Sequence, residues 1–213
     1  MSYEKEIEEL IEQNRPLPPK IEISLIKYFW QSNPFFRSAK DSIPRFLRRI
    51  KVLKNFSENE LRILSRYIHL RDFSQNETIF KQFDLGMGFY FIFSGQVDVI
   101  VENDKDDILE EDLPKSRHII TLERGDYFGE LALLQQRSLR NATAKAREGC
   151  ILLGIFKPDL ELLINEYPVV ATKLLQSVSV IIANRLFSIT KEVRRLKHRL
   201  KKHEKSEEDD AEK

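Results

Sequence analysis

The chain has 213 residues, 41% of them hydrophobic and 32% charged, and its formal net charge is +1. This composition predicts a soluble globular protein and argues against a generic polyanion binder, which needs a large net positive charge. The single cysteine, Cys150, excludes an internal disulfide framework and a cysteine-rich zinc site. The sequence suggests no bilayer-spanning run, and its acidic N-terminus lacks the apolar core of a secretory signal, so a cytoplasmic location is expected.

Glycine and proline divide the chain into helical flanks and a turn-rich middle. All seven glycines lie between Gly86 and Gly154, and neither residue type occurs after Pro168. Since helix interiors avoid both residues, the flanks are predicted to be helical and the middle to be β-structure. The predicted N-terminal helices are Glu4–Asn14, Ile21–Gln31, Ile43–Leu53, and one that starts at a capping box of Ser57 and Glu60 and runs through Tyr67.

Short alternating segments follow at close spacing, which is typical of a barrel or jelly roll. The charged stretch Glu102–Lys115 between them is predicted to be a solvated loop. The fold class is therefore α+β, an antiparallel β-roll flanked by N-terminal helices and a long C-terminal helix. The predicted strands are Glu77–Lys81, Phe89–Phe93, Gln96–Val101, Arg117–Leu122, Arg140–Ala146 and Cys150–Phe156.

One segment carries residues suited to ligand chemistry. Gly129 permits a close backbone approach, and a short helix over Glu130–Leu134 would present N–H groups to an anion. Arg140 adds a planar fork for the same anion, whereas the carboxylate of Glu130 can accept hydrogen bonds from a sugar hydroxyl. Together these residues indicate a site for a phosphorylated sugar.

This segment, Phe128-Gly-Glu-Leu-Ala-Leu-Leu134 followed by Arg140-Asn-Ala-Thr143, resembles the phosphate-binding cassette of the cyclic nucleotide-binding domain family. The resemblance extends in order over residues 53–168, which makes it more specific than the cassette alone. The chain is similar to a stand-alone, bacterial-type member without a helix-turn-helix. The further matching segments are Leu53–Ser57, Glu77–Gln82, Gly86–Tyr90, Ser94–Val97, Phe156–Leu160 and Glu166–Pro168.

The resemblance implies a role for each cassette residue. Glu130 would bind the ribose 2′-hydroxyl, and Arg140 would pair with an exocyclic oxygen of the cyclic phosphate. Backbone N–H groups would surround that phosphate, and a small residue would allow its approach. The ligand would be cAMP or cGMP, with no cofactor and no metal. The implied ligand-binding residues are Gly129, Glu130, Leu131, Ala132, Arg140, Asn141 and Ala142.

Two positions depart from the family pattern. Phe83 stands where a turn usually has glycine, so this turn must tolerate a bulky residue or differ locally. Asn141 stands where alanine, serine or threonine is common, and its amide can both donate and accept a hydrogen bond. The preferred base therefore stays open, with cAMP favoured over cGMP.

The C-terminal segment predicts a dimer. Leu175, Ile182, Ile189 and Leu196 recur every seven residues, and Leu186, Val193 and Leu200 form the second set of an a/d seam. The helix, residues 169–203, would form a homodimeric coiled coil, followed by a disordered acidic tail, 204–213. The basic run Lys191–His203 could contact nucleic acid, but a solvated coiled-coil flank is the favoured interpretation.

The favoured function is a cyclic mononucleotide sensor that rearranges its helices on ligand binding and signals through a protein partner. Its domains would be residues 1–52, a helical extension, and 53–168, the ligand-binding roll. The alternative is a scaffold dimer whose empty roll holds an ion pair of Glu130 and Arg140. An enzyme is not indicated, because the histidines are scattered, with His69 and His118 expected on strand surfaces.

Overall fold

A computed structural model describes residues 2–18, 20, 43–102, 117–135 and 137–211 of the chain. The predicted helix Ile21–Gln31 lies outside the described residues, as does the predicted loop Glu102–Lys115 except for its first residue. The chain forms two compact units, Met1–Lys173 and Leu174–Lys213. The first unit contains the sheets and the candidate site, and the second continues the last helix.

The N-terminal part of the first unit is helical, as predicted. Helix α1 is Tyr3–Glu12, α2 is Ile43–Arg49, a 3₁₀ turn covers Lys51–Leu53, and α3 is Glu58–Ser65. The predicted capping box is confirmed, because the Glu60 N–H donates to the Ser57 hydroxyl and the Ser57 N–H donates to the Glu60 carboxylate. These two bonds fix where α3 begins.

Within the described residues, eight strands form two antiparallel four-stranded sheets, which confirms the predicted β-roll. One sheet has the order β1-β8-β3-β6 and the other β2-β7-β4-β5. The strands β1 and β6 were not predicted, since β6 has only two residues and β1 alternates weakly. The strands are β1 His69–Phe73, β2 Thr78–Phe80, β3 Gly88–Ser94, β4 Val97–Glu102, β5 Arg117–Leu122, β6 Tyr127–Phe128, β7 Thr143–Ala146 and β8 Cys150–Phe156.

The core lies between the sheets and is rich in aromatic rings. Every residue of β8 is buried, and so are the first six of β3, because each of these strands has a neighbour on both sides. Tyr90 stacks on Phe128 at 5.4 Å between ring centroids. Tyr3 and Ile7 of α1 belong to the same buried cluster, so the first helix is an integral part of this core.

The described part of the chain after β5 also contains three helices: α4 Leu131–Leu134, α5 Lys157–Glu166 and α6 Pro168–Ala211. By length and composition alone, the stretch Pro168–Lys201 would be long and apolar enough to cross a membrane, unlike the expectation from sequence. Core helices of soluble proteins meet the same measure. The stretch is this apolar because Lys173 and Arg185 are its only charged residues from Pro168 to Arg185.

The turn at Phe83 keeps the left-handed conformation that glycine favours, with φ +69°. The Phe83 N–H donates to the Arg140 carbonyl at 2.8 Å, and the Arg140 N–H donates to the Asp84 carbonyl at 2.9 Å. The bulky ring is tolerated because it points outward and is 54% exposed. The strained turn therefore holds the backbone of Arg140 on both sides.

Candidate functional site

The site begins where β6 ends and the chain turns into α4. Gly129 has φ +83°, a conformation that L-residues rarely adopt. A Cβ atom at this position would lie 2.7 Å from Nη1 of Arg140 and 2.8 Å from the Gly88 carbonyl oxygen. Glycine is therefore required both for the turn and for the close approach of Arg140 and β3.

The guanidinium of Arg140 is the centre of the site, and its side chain is only 5% exposed. Nη1 donates to the Gly129 carbonyl at 3.1 Å and Nη2 donates to the Gly88 carbonyl at 2.7 Å. The Phe80 ring lies below the guanidinium, 4.0 Å from Cζ to the ring centroid. Such contacts fix the orientation of the planar fork and partly compensate for its burial.

The acidic partner of Arg140 is Glu4 of α1, a residue that the sequence did not predict for this site. Nε of Arg140 donates to Oε2 of Glu4 at 2.7 Å, and Nη2 donates to Oε1. Glu4 is fully buried and also accepts hydrogen bonds from the Gly88 N–H at 3.0 Å, the Met87 N–H at 3.3 Å and the Tyr90 hydroxyl at 2.9 Å. The fork that was assigned to a phosphate thus holds a carboxylate.

No pattern in the sequence distinguishes Glu4 from the other glutamates of its helix. Helix α1 carries five glutamates, Glu4, Glu6, Glu8, Glu9 and Glu12, and its sequence predicts an amphipathic surface helix. Glu4 and Arg140 are 136 positions apart, so no local pattern links them. The pair also differs from the ion pair of Glu130 and Arg140 that the scaffold alternative assumed.

The other predicted ligand-binding residues surround this centre. Glu130 is 3% exposed and immediately precedes α4. Ala132 is fully buried, and its N–H donates to the Gly129 carbonyl at 3.2 Å within the first turn. Leu131 and Ala142 are half-buried, whereas Asn141 is exposed. The structure therefore brings Gly129 and Arg140 into direct contact, with Glu130 and Ala132 on the adjoining turn and Asn141 facing solvent.

Burial keeps the hydroxyl of Tyr90 protonated. The pKa of Tyr90 is raised well above its usual value, first by loss of solvation and then by the nearby Glu4 carboxylate. Tyr90 is consequently a permanent hydrogen-bond donor to Glu4. The Glu4 carboxylate therefore meets a guanidinium, two backbone N–H groups and a hydroxyl, which together form a complete cradle for an anion.

A second buried polar cluster connects the chain near Lys20 with β1 and α5. His69 is 2% exposed, so the prediction that it lies on the strand surface is wrong. Its Nε2 lies 3.0 Å from Oδ2 of Asp159, and its Nδ1 lies 2.7 Å from the Pro18 carbonyl. Lys20 Nζ lies 3.0 Å from the other oxygen of Asp159. This cluster fastens three segments together.

The described residues offer little for covalent or metal chemistry. Cys150 is buried, and loss of solvation together with nearby carboxylates raises the pKa of its thiol to about 12, so a thiolate nucleophile is not available at neutral pH. Among the residues that the structure describes, no group of three or more His, Cys, Asp or Glu side chains could hold a metal ion.

Comparison with known proteins identifies the class of domain. The sequence model of the family described as "Cyclic nucleotide-binding domain" matches residues 70–167, which include the β-roll and every cassette residue. The crystal structure of Thermus thermophilus catabolite activator protein superposes with a TM-score of 0.56 at 29% identity, covering 68% of this chain and 62% of that chain. Over residues 70–167, the antiparallel roll is thus a domain of the cyclic nucleotide-binding domain family.

Two curated relatives agree with this identification. The chain is 32% identical over 123 residues to the cyclic AMP receptor protein of Thermus thermophilus, covering 58% of this chain and 53% of that protein. It is 32% identical over 128 residues to a cGMP-dependent protein kinase of Plasmodium berghei, covering 58% of this chain and 13% of the kinase. The chain therefore spans only part of the length of these relatives.

Proposed function

We propose that this chain is a non-catalytic sensor of a cyclic mononucleotide, with cAMP preferred over cGMP. One observation carries the proposal: the buried fork of Arg140 is held against Gly129 at the start of a short helix, with the carboxyl residue Glu130 on the same turn. A guanidinium and a carboxylate so arranged suit the two halves of the ligand, a phosphodiester and a ribose hydroxyl.

The ligand itself is the first matter to test. Isothermal titration with cAMP and with cGMP should give measurable heat and a saturable curve for the wild-type protein. Arg140→Lys keeps the positive charge but loses the fork, so it should weaken binding by roughly 10- to 100-fold, the value of one or two charged hydrogen bonds. The matched control is Arg147→Lys, an exposed arginine on the opposite end of β7. Equal affinities for all three proteins would contradict the assigned role of Arg140.

The role of Glu130 can be isolated with a modified ligand. If its carboxylate accepts the ribose 2′-hydroxyl, 2′-deoxy-cAMP should bind wild type more weakly than cAMP does, by roughly tenfold. Glu130→Gln should lose most of this difference, since the contact is then already weakened. A double-mutant cycle of these two proteins and two ligands thus measures the interaction energy between Glu130 and the ribose 2′-hydroxyl. An unchanged preference in the variant would remove Glu130 from the ribose site.

The output of the sensor would be a change in helix arrangement read by a protein partner. We propose a homodimer through α6, because the predicted seam residues Leu186, Ile189 and Leu200 are each about 60% exposed. Pairing with a second copy of the helix would bury these apolar side chains. We further propose a cytoplasmic location, because the single cysteine, Cys150, cannot form the internal disulfides that are common in secreted domains.

A ligand-free scaffold remains the second candidate, and a specific observation favours it. The fork of Arg140 already holds a buried carboxylate, so an arrangement without nucleotide satisfies its charge. For a scaffold, Arg140→Lys and Glu130→Gln should leave partner binding unchanged, and neither nucleotide should shift the melting temperature. A sensor should instead gain melting temperature with ligand, by mass action on the folded state.

A further inference from the structure

The anion cradle around Arg140 is filled from within the chain. A guanidinium has five N–H donors, and four of them are engaged: Nε and Nη2 with Glu4, Nη2 also with the Gly88 carbonyl, and Nη1 with the Gly129 carbonyl. One N–H on Nη1 is left. An arriving phosphate could therefore gain a single bond from Arg140, and not a bidentate pair, as long as Glu4 stays in place.

Charge leads to the same result. Arg140 and Glu4 are 5% and 0% exposed at the side chain and together are neutral. A phosphodiester would bring a second negative charge to one buried cation, where poor solvation makes like charges strongly unfavourable. If Glu4 leaves, the ligand replaces one anion by another, and the charge of the site is unchanged.

We propose that Glu4 is an internal competitor of the ligand, so that cyclic nucleotide binding at Arg140 and docking of the Glu4 end of α1 exclude one another. This inference rests on the proposed function and deepens it, since it names the regulation of the same site. The affinity for nucleotide is then reduced by the fraction of molecules in which α1 is docked.

The competitor is attached to the fold by more than one contact. Ser2 donates its hydroxyl hydrogen to Asp84 at 2.8 Å, while Tyr3 packs edge-to-face on Phe73 at 5.4 Å. Ile7, one turn after Tyr3, is fully buried in the core. Release of Glu4 therefore disturbs the whole first turn of α1, and nucleotide binding becomes a change in the N-terminal helix that a partner protein can detect.

The decisive comparison is between two conservative variants of the same helix, made with the affinity tag at the C-terminus because Ser2 to Glu4 are buried. Glu4→Gln removes the competing charge with little change of shape. Glu9→Gln makes the same chemical change on the exposed face of α1. We expect Glu4→Gln to bind cAMP about tenfold more tightly or better, within the usual range of coupling between sites, and Glu9→Gln to match wild type.

The outcomes separate this inference from the proposed function. Tighter binding by Glu4→Gln, or binding by Glu4→Gln alone, supports the inference. If wild type binds cAMP and folded Glu4→Gln binds it equally or more weakly, Glu4 is a support for Arg140 and the inference is overturned, while the sensor function stands. If wild type and both variants are folded but bind neither cAMP nor cGMP, the proposed function fails and the inference fails with it.

Two measurements keep the test valid if Glu4→Gln does not fold. Tyr90→Phe removes one hydrogen bond from the Glu4 carboxylate and should raise the affinity for cAMP by a few-fold. In the wild-type protein, saturating cAMP should increase hydrogen–deuterium exchange of the amides in residues 3–12, measured by mass spectrometry, compared with α3 as an internal reference. Unchanged affinity in Tyr90→Phe or unchanged exchange in residues 3–12 would each overturn the inference.

Discussion

Phe83 holds a left-handed backbone conformation that costs an L-residue about 1–2 kcal/mol, and its ring is half exposed. We expect Phe83→Gly to be more stable than Phe83→Ala by about 0.5–1 kcal/mol, because glycine relieves the strain but adds freedom to the unfolded chain. Both variants lose the ring, so their difference isolates the backbone. Urea denaturation measures this difference in the free energy of unfolding. An alanine variant at least as stable as the glycine variant would show that the backbone at Phe83 is not strained.

Gly129 and Gly125 provide a matched pair at positive φ. A Cβ at Gly125 meets nothing within 4 Å, whereas one at Gly129 meets Arg140 and Gly88 below 3 Å. Gly125→Ala should thus cost only backbone strain, about 1 kcal/mol, and Gly129→Ala about 2–4 kcal/mol because of the added overlap. Denaturation curves give both values. Similar losses in the two variants would show that the site can relax around a methyl group.

Individual site residues were predictable to the extent that their chemistry is local. Gly129, Glu130 and Arg140 lie within twelve positions of one another, and the types needed for a turn, a sugar and an anion can be recognised in that order. Glu4 was not predictable, since its role depends on a contact with Arg140, which lies 136 positions away in the sequence. Its side chain differs from those of Glu6 and Glu9 only in the direction that folding gives it.

At the scale of elements, Asp159 joins α5 to β1 and to Lys20. Burial alone would raise the pKa of its carboxyl, but the hydrogen bonds and charges of His69 and Lys20 outweigh burial, and the net pKa is lowered. A lowered folded-state pKa stabilises the protein above the unfolded value, about 3.9, and this contribution is lost as the pH falls through the folded value. The free energy of unfolding should therefore decrease more steeply with falling pH below about pH 4.

Asp159→Asn tests this contribution. At pH 7 it should lower the free energy of unfolding by about 1–3 kcal/mol, because the buried His69 ring and the 37%-exposed Lys20 ammonium lose a charged hydrogen-bond partner. Its difference from wild type should shrink as the pH falls below about 4, where the native carboxylate also becomes protonated. Glu161→Gln, an exposed carboxylate on the same helix, should change little at either pH. If Asp159→Asn lowered the free energy of unfolding by the same amount at every pH, its effect would come from packing rather than from charge.

The elements were predicted where a local signal exists. The capping box placed the start of α3, and alternation in Val97, Val99 and Val101 placed β4. The edge strand β1 was missed because its sequence, HLRDF, mixes charged and apolar residues, and His69 is buried only because Asp159 and Pro18 satisfy its ring. Such burial is decided by partners distant in sequence, which a window of neighbouring residues does not contain.

The whole-molecule prediction concerns the assembly of α6. An exposed apolar seam over Leu186, Ile189, Val193, Leu196 and Leu200 is the pattern of a coiled coil, which buries the seam against a copy of itself. We expect a homodimer at micromolar concentration by analytical ultracentrifugation. Replacing Ile189 and Leu196 with glutamate should give a monomer, because four carboxylates would otherwise be buried in the dimer interface.

Ser188→Glu supplies the control, since it adds a negative charge beside the seam, at an exposed position of the same helix. It should remain dimeric. Because the β-roll lies in the other compact unit, the monomeric variant should keep its far-UV signal from the sheets and its affinity for cAMP within a few-fold of wild type. A wild-type protein that sediments as a monomer would refute the coiled coil. A dimer that survives both glutamates would instead move the interface away from the seam and onto another surface of the chain.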